Sequence, residues 1–152
     1  MTDVVARALQ PADAGAARAL VVAQFSGTRY ESRLLEQLAH ARRGDDPECR
    51  AMVAIAPGDQ HLHGLMLFGT VSGAQGVAKI HALVGEDRDA QRTLAGSVRD
   101  AGARMVICEV GDDAPWLVTV EVLRELGFAE EGRVADFFRD GVALRVLTWR
   151  SR

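Results

Sequence analysis

The 152-residue chain is poor in residues that mark specialised classes of protein: it has two cysteines, one lysine and only 5% aromatic residues. Cys49 and Cys108 both fall in or beside predicted buried strands. Two cysteines without a spacing pattern indicate reduced thiols rather than a disulfide framework. Lys79 is the only lysine among 18 basic residues, and this excess of arginine is typical of a GC-rich bacterial genome. We therefore expect a bacterial protein of the reducing cytoplasm.

Long apolar runs, strong net charge and common catalytic motifs are also absent. No stretch approaches the roughly 20 apolar residues that cross a bilayer, and Met1–Ala6 lacks the basic and apolar segments of a signal peptide. The net charge is −3, and no basic stripe with interleaved aromatics indicates nucleic-acid binding. The sequence lacks Gly-x-Ser-x-Gly, His-Glu-x-x-His, P-loop and Cys-x-x-Cys motifs. His61 and His63 share a predicted strand face without further ligands at metal-site spacing, so we expect no nucleic-acid, membrane or metal partner.

Apolar periodicity divides the chain into the elements of one domain, residues 1–152, which is long enough to bury a core without disulfides. The predicted strands are Val4–Leu9, Arg50–Ala56, Leu62–Val71, Val77–Val84, Arg104–Val110, a strand beginning at Phe128, and Val142–Trp149. The predicted helices run from Pro11 to Phe25, from Ser32 to Arg43, from Asp89 to Ala101 and from Pro115 to Gly127. The order β-α-α-β-β-β-α-β-α-β-β predicts an α/β (α+β) fold with a mixed, mostly antiparallel sheet and helices on both faces.

Several residues in the last third of the chain follow a recognisable pattern. Glu109 lies near the end of the fifth strand, Thr119 lies in the last helix, Gly127-Phe128 ends that helix, and Asp136-Phe137-Phe138 follows. Together with the order of elements, these residues resemble the GNAT superfamily of N-acetyltransferases over essentially the whole chain. The resemblance implies transfer of an acetyl group from acetyl-CoA to a primary amine of a small molecule or peptide, by direct attack in a ternary complex.

The resemblance also implies where the coenzyme lies, namely where the fourth and fifth strands separate. The backbone of Leu83 and Val84 would bind the pantetheine arm and polarise the thioester. The pyrophosphate would lie at the start of the next helix, where unpaired N–H groups favour anions. The residues implied there are Asp89, Ala90, Gln91 and Arg92.

This region departs from the family pattern, because the loop between Gly85 and Arg92 lacks the paired glycines and carries Glu86, Asp87 and Asp89. Either Asp87 or Asp89 is expected to cap the helix instead, while Arg88 and Arg92 could supply part of an anion site. Two positions at which the family often has proton-transfer groups are apolar in this chain, namely Ala78 and Leu123. The alternative function is therefore a degenerate GNAT-fold domain that acts as a binding or assembly module without transferase activity.

The remaining candidate residues belong to the acetyl acceptor's side of the site. Glu109 is a candidate base or amine anchor, or else an exposed carboxylate at a strand end, and His81 is a candidate base or else a packed strand histidine. Four residues would line the acceptor pocket, or else pack the sheet edge and the rim: Tyr30, Asp136, Phe137 and Phe138. The resemblance leaves open a homodimer, including one in which the partner chain supplies missing groups.

Overall fold

The computed structural model describes residues 3–58, 60–85 and 87–152. Its strands are β1 (Val5–Ala8), β2 (Arg50–Ile55), β3 (Leu62–Thr70), β4 (Val77–Val84), β5 (Met105–Gly111), β6 (Ala129–Arg139) and β7 (Val142–Arg150). Its α-helices are α1 (Ala14–Phe25), α2 (Glu31–Ala41), α3 (Arg88–Arg99) and α4 (Leu117–Glu125), with short 3-10 turns at Pro11–Asp13 and Ala114–Trp116. The predicted order of elements is confirmed.

All seven strands form one sheet in the order β1-β2-β3-β4-β5-β7-β6. Neighbouring strands are antiparallel except for β4 and β5, which are parallel and are joined through α3. Such a connection requires a crossover, and α3 provides it. The mixed, mostly antiparallel sheet predicted from the sequence is therefore confirmed.

The helices bury one apolar face each. In α1 the buried residues Ala17, Val21 and Phe25 recur every four positions, and α2 buries Leu34 and Leu38 in the same way. α1 packs on α2, whereas α3 packs on α4, and both α1 and α3 contact the central strand β3. This arrangement places the beginning of α3 and the beginning of α4 beside the ends of β4 and β5.

The feature that creates the site is the separation of β4 from β5. The two strands are paired only from Val77–Met105 to Ile80–Cys108. Beyond this point β4 stays on β3 as far as Val84, and β5 stays on β7 as far as Gly111. The parallel strands therefore part along their last residues, as the resemblance implied, and leave a V-shaped opening between them.

Candidate active site

Three ionisable side chains lie where the two strands part. Because side chains alternate along a strand, Lys79 and His81 project from the same face of β4. Lys79 is paired in register with Ile107 of β5, two residues before Glu109. The Lys79 Nζ atom lies 3.4 Å from Glu109 Oε2, an ion pair across the opening. The structure thus brings the two catalytic candidates, His81 and Glu109, together around Lys79.

These side chains form the floor of a pocket of about 260 Å³, which we call the acceptor pocket. Five of the residues predicted from the sequence line it: Tyr30, His81, Glu109, Phe137 and Phe138. The remaining lining residues are Arg33, Leu34, Gln37, Lys79, Trp116 and Leu144. Residues from α2, β4, β5, the turn before α4, β6 and β7 therefore converge here, although they are spread over more than a hundred positions of sequence.

His81 is held in a defined orientation. Its Nε2 atom lies 2.8 Å from the backbone carbonyl oxygen of Glu48. A carbonyl oxygen only accepts, so Nε2 donates, and Nδ1 of the neutral ring keeps its lone pair. Burial lowers the pKa of His81 from 6.5, against the opposing effect of the Glu48 hydrogen bond, and the Lys79 charge lowers it further. His81 is therefore neutral near pH 7 and able to accept a proton.

Tyr30, the chain's single tyrosine, forms part of the pocket wall. Its hydroxyl donates a 2.8 Å hydrogen bond to Asp113 Oδ1, and burial together with Asp113 raises its pKa to about 12. The ring makes edge contacts with Trp116 and Phe138, with centroids 5.2 Å away in both cases. Tyr30 is thus a rigid aromatic wall whose proton is held by Asp113, and not a poised acid.

Asp136 lies outside the acceptor pocket, unlike the two phenylalanines that follow it. It is the one non-glycine residue among those described with a positive φ, 55°. Its Oδ1 accepts a hydrogen bond of 2.8 Å from the Gly141 backbone N–H. Asp136 therefore closes the β6–β7 hairpin and positions Phe137, which is 56% exposed at the rim, and Phe138.

A second and larger pocket, of about 640 Å³, lies at the open ends of β4 and β5, and we call it the donor pocket. It is lined by Leu20, Ala23, Gln24, His61, Leu62, His63, Gly85, Asp87, Ala114, Pro115 and Val118. Gln24 of α1 spans the opening: its Oε1 accepts from the Gly85 N–H at 2.7 Å and its Nε2 donates to the Pro115 carbonyl at 2.8 Å. One side-chain amide therefore links the two sides of the opening.

The end of β4, predicted to bind the pantetheine arm, is enclosed by the protein itself. Leu83 and Val84 are both fully buried. The Leu83 carbonyl accepts a 3.3 Å hydrogen bond from Thr119 Oγ1, and the Gly85 carbonyl accepts one of 2.5 Å from Nε2 of the fully buried Gln91. The backbone polar groups that an amide-bearing arm would use are therefore bound to side chains of α3 and α4.

The beginning of α3 does not fit a pyrophosphate. Asp87 Oδ1 accepts a 3.1 Å hydrogen bond from the Ala90 N–H, so the expectation that Asp87 caps the helix is confirmed. Arg92 pairs with Asp89 at 2.7 Å and with Glu125 of α4 at 2.6 Å. A carboxylate thus occupies the N-terminus of the helix, where the family resemblance implied a phosphate.

Arg88, the other candidate cation, pairs with Glu121 and Glu125 of α4. The two arginines therefore fasten α3 to α4 and are not left to bind an anion. Glu86 lies outside the described residues. Of the two apolar replacements, Leu123 is fully buried in the core and Ala78 is partly buried against it, so both have packing roles.

No protein-family profile matches the chain, and no curated protein sequence matches it. Several solved structures are similar to the chain over nearly its full length. A GNAT-family protein from Desulfovibrio desulfuricans has a TM-score of 0.76 at 21% identity, covering 97% of this chain and 99% of that one. The ribosomal-protein-alanine N-acetyltransferase of Brucella melitensis has a TM-score of 0.71 at 15% identity, with 97% and 99% covered. The yncA protein of Salmonella typhimurium, solved with acetyl-CoA, has a TM-score of 0.68 at 13% identity, with 97% and 93% covered.

The chain has the GNAT N-acetyltransferase fold. Identities of this size establish the fold of the chain and leave its activity to be argued from its own residues. Among the described residues no helix is long and apolar enough to cross a membrane, and no group of three or more metal-ligating side chains is arranged around a common point.

Sequence reasoning missed several residues of the site. Arg33 and Gln37 of α2 line the acceptor pocket, as does Trp116, and Gln24 spans the donor pocket. Arg33 and Gln37 are four positions apart, hence on one helix face together with Leu34. That spacing was visible in the sequence, but nothing in it indicated which cavity the face lines. Gln24 and Trp116 left no signal, because each acts through contacts with distant parts of the chain.

Proposed function

We propose that this chain is a cytoplasmic N-acetyltransferase that transfers an acetyl group from acetyl-CoA to a primary amine of a small molecule or peptide. The observation that carries the proposal is the opening between β4 and β5, which has the acceptor pocket on one side and the donor pocket at its outer end. Two cavities beside separated strands suit a reaction in which an amine and a thioester are brought together and aligned directly.

His81 and Glu109 are the residues proposed to act on the amine. With Nε2 donating to Glu48, Nδ1 of neutral His81 is the atom that takes the proton from the acceptor's ammonium group. The Glu109 carboxylate attracts that ammonium group and, with Lys79, limits where it can sit. Acetyl-CoA would supply the thioester carbonyl carbon, to which the amine nitrogen bonds as the carbon–sulfur bond breaks. Proton transfer of this kind contributes about 10²- to 10⁴-fold in rate.

Leu83, Val84 and Gln24 are the residues proposed to meet the donor's arm. An arm that carries amides can replace the Gln24 amide at the Gly85 N–H and the Thr119 hydroxyl at the Leu83 carbonyl, since those partners are single side chains. The beginning of α3, including Asp89, Ala90, Gln91 and Arg92, would hold the nucleotide poorly, because the Asp87 carboxylate lies there and accepts from the Ala90 N–H. The chain would therefore recognise acetyl-CoA mainly through its pantetheine arm.

A specific observation also favours the alternative function, a binding module without transferase activity. The capped beginning of α3 and the paired arginines leave no evident pyrophosphate site among the described residues. A chain that never bound coenzyme would show the same capped helix start and the same paired arginines. In that case the acceptor pocket would bind its ligand without changing it. A homodimer is compatible with either function and stays a prediction.

Calorimetric titration with acetyl-CoA separates the two functions. Binding with a dissociation constant below about 1 mM supports the enzyme, whereas no heat and no thermal shift at millimolar coenzyme supports the module. If the coenzyme binds, His81→Ala and Glu109→Gln should lower turnover with a panel of amines by about 10²-fold or more. His40→Ala is the matched control, because His40 pairs with Asp46 outside the pocket. Unchanged turnover in both pocket variants would remove these residues from the mechanism.

A further inference from the structure

Two polar groups in the acceptor pocket are not used by the proposed chemistry. The Arg33 guanidinium lines the pocket and makes no hydrogen bond or ion pair with the described residues. Gln37 Oε1 is buried and has no hydrogen-bond partner among them. A buried acceptor left without a partner costs about 1–3 kcal/mol, so Gln37 Oε1 indicates a polar atom of a ligand. The exposed Arg33, four positions earlier on the same helix face, is a cation that the same ligand can pair with.

The charges of the pocket define what that ligand carries. Lys79 and Glu109 neutralise each other as an ion pair, and His81 is neutral near pH 7. Arg33 therefore leaves the pocket with one uncompensated positive charge. A guanidinium group binds carboxylates in a planar, two-pronged arrangement, in preference to neutral groups. The pocket thus suits a ligand with a carboxylate as well as an amine.

We propose that the acceptor is a free amino acid with an apolar or aromatic side chain, an inference that rests on the proposed acetyl transfer for its chemistry. Its carboxylate pairs with Arg33, and its ammonium group lies toward Glu109 and His81 while donating to Gln37 Oε1. Its side chain packs against the aromatic wall that Tyr30 and Phe138 form. Acetylation forms the N–C bond, breaks the thioester C–S bond and leaves the carboxylate unchanged in the product.

The same geometry disfavours the N-terminus of a peptide. In a peptide the carboxyl group next to the terminal amine is an amide, so Arg33 would face a neutral group. The pocket volume of about 260 Å³ also lies below the range of about 300–1,000 Å³ that is usual for larger ligands. A small acceptor that retains its own carboxylate satisfies Arg33, whereas an extended chain does not.

The test measures binding to the full chain without any acyl donor, using calorimetry. L-phenylalanine is compared with L-phenylalaninamide, which has the same shape and amine but no carboxylate. We expect the acid to bind at least about tenfold more tightly than the amide. Arg33→Ala should remove that preference, and Arg33→Lys should retain part of it. Arg18→Ala is the control, because Arg18 is an exposed arginine of α1 that does not line the pocket.

Equal binding of the acid and the amide would overturn the proposal, as would a preference that persists in Arg33→Ala. No binding of the acid, or tighter binding of a dipeptide, would overturn it as well. Because no donor is present, the result does not depend on acetyl transfer. Amino-acid binding that requires Arg33, with no turnover in the presence of acetyl-CoA, would support this site and contradict the proposed function.

Discussion

The beginning of α3 can be tested by replacing Asp87 with asparagine. Asparagine caps helices about as well as aspartate, so the hydrogen bond to the Ala90 N–H should persist. The substitution removes one negative charge from the place where the nucleotide's diphosphate would have to lie. Asp87→Asn therefore separates the charge of this residue from its capping role.

The expected gain follows from the electrostatics of an exposed site. The Asp87 side chain is 36% exposed, so water screens it strongly. At about 4 Å, two like unit charges repel each other by about 1 kcal/mol in water, which corresponds to roughly fivefold in affinity. Asp87→Asn should thus tighten acetyl-CoA binding about fivefold or more, with a smaller gain at high salt. Asp87→Ala should instead lose about 1 kcal/mol of unfolding free energy, because the cap is removed.

The assay is a calorimetric titration of two donors, acetyl-CoA and acetyl-pantetheine, into the unchanged chain and into the variants Asp87→Asn and Asp100→Asn. Acetyl-pantetheine lacks the nucleotide, so its affinity should not change in Asp87→Asn. Asp100→Asn is the matched control, since it removes the same charge just after the last residue of α3. The reasoning would be refuted if Asp87→Asn bound acetyl-CoA no more tightly than the unchanged chain. An equal gain for acetyl-pantetheine would refute it too.

Three further predictions concern ionisable groups. The folded state keeps His81 neutral, whereas in the unfolded chain this histidine takes up a proton below about pH 6.5. The free energy of unfolding should therefore fall as the pH falls from 6.5 through the lowered pKa of His81. Denaturant titrations should show a weaker pH dependence for His81→Gln. The ultraviolet titration of Tyr30, the only tyrosine, should have its midpoint near pH 12 rather than 10, and should move down in Asp113→Asn. Cys108 is fully buried with its pKa raised to about 12, so thiol reagents should label it only after unfolding, whereas the half-buried Cys49 should react first.

The elements of the fold were predictable from the sequence because their signals are local. Alternation and turn residues placed one strand at Val77–Val84, and the structure has it at those residues. Pro115 was expected to begin the last helix, whereas it lies in a 3-10 turn and the α-helix begins at Leu117. Such differences at element ends arise because the first turn of a helix has few hydrogen bonds of its own.

The acceptor pocket was only partly predictable. The resemblance led to His81, Glu109 and the Phe137-Phe138 pair, because these follow the family's spacing. Arg33 could not be assigned, since a solvent-facing arginine of a helix and a pocket arginine look alike in sequence. Which face of α2 lines a cavity is decided by how α2 packs on the sheet, and that packing depends on residues far away in the chain.

The donor pocket was harder to predict from the sequence, because its hydrogen bonds join residues that are far apart in the chain. Gln24 reaches Gly85 and Pro115, which are 61 and 91 positions away. The sequence showed that the glycine loop was missing, and the poor pyrophosphate site that this indicates stays a prediction. It did not show that the chain's own amide would bridge the opening.

The contrast between the two pockets bears on which ligand the chain is built to hold. At the end of β4 the backbone groups of Leu83 and Gly85 are bound by Thr119, Gln91 and Gln24. A ligand arriving there must break bonds that the protein already makes, so the net gain per new hydrogen bond is small. In the acceptor pocket neither Gln37 Oε1, which is buried, nor Arg33, which is exposed, has a partner among the described residues, so a ligand there displaces water and no protein hydrogen bond. Acceptor binding should therefore be stronger than donor binding, whichever of the two proposed functions is correct.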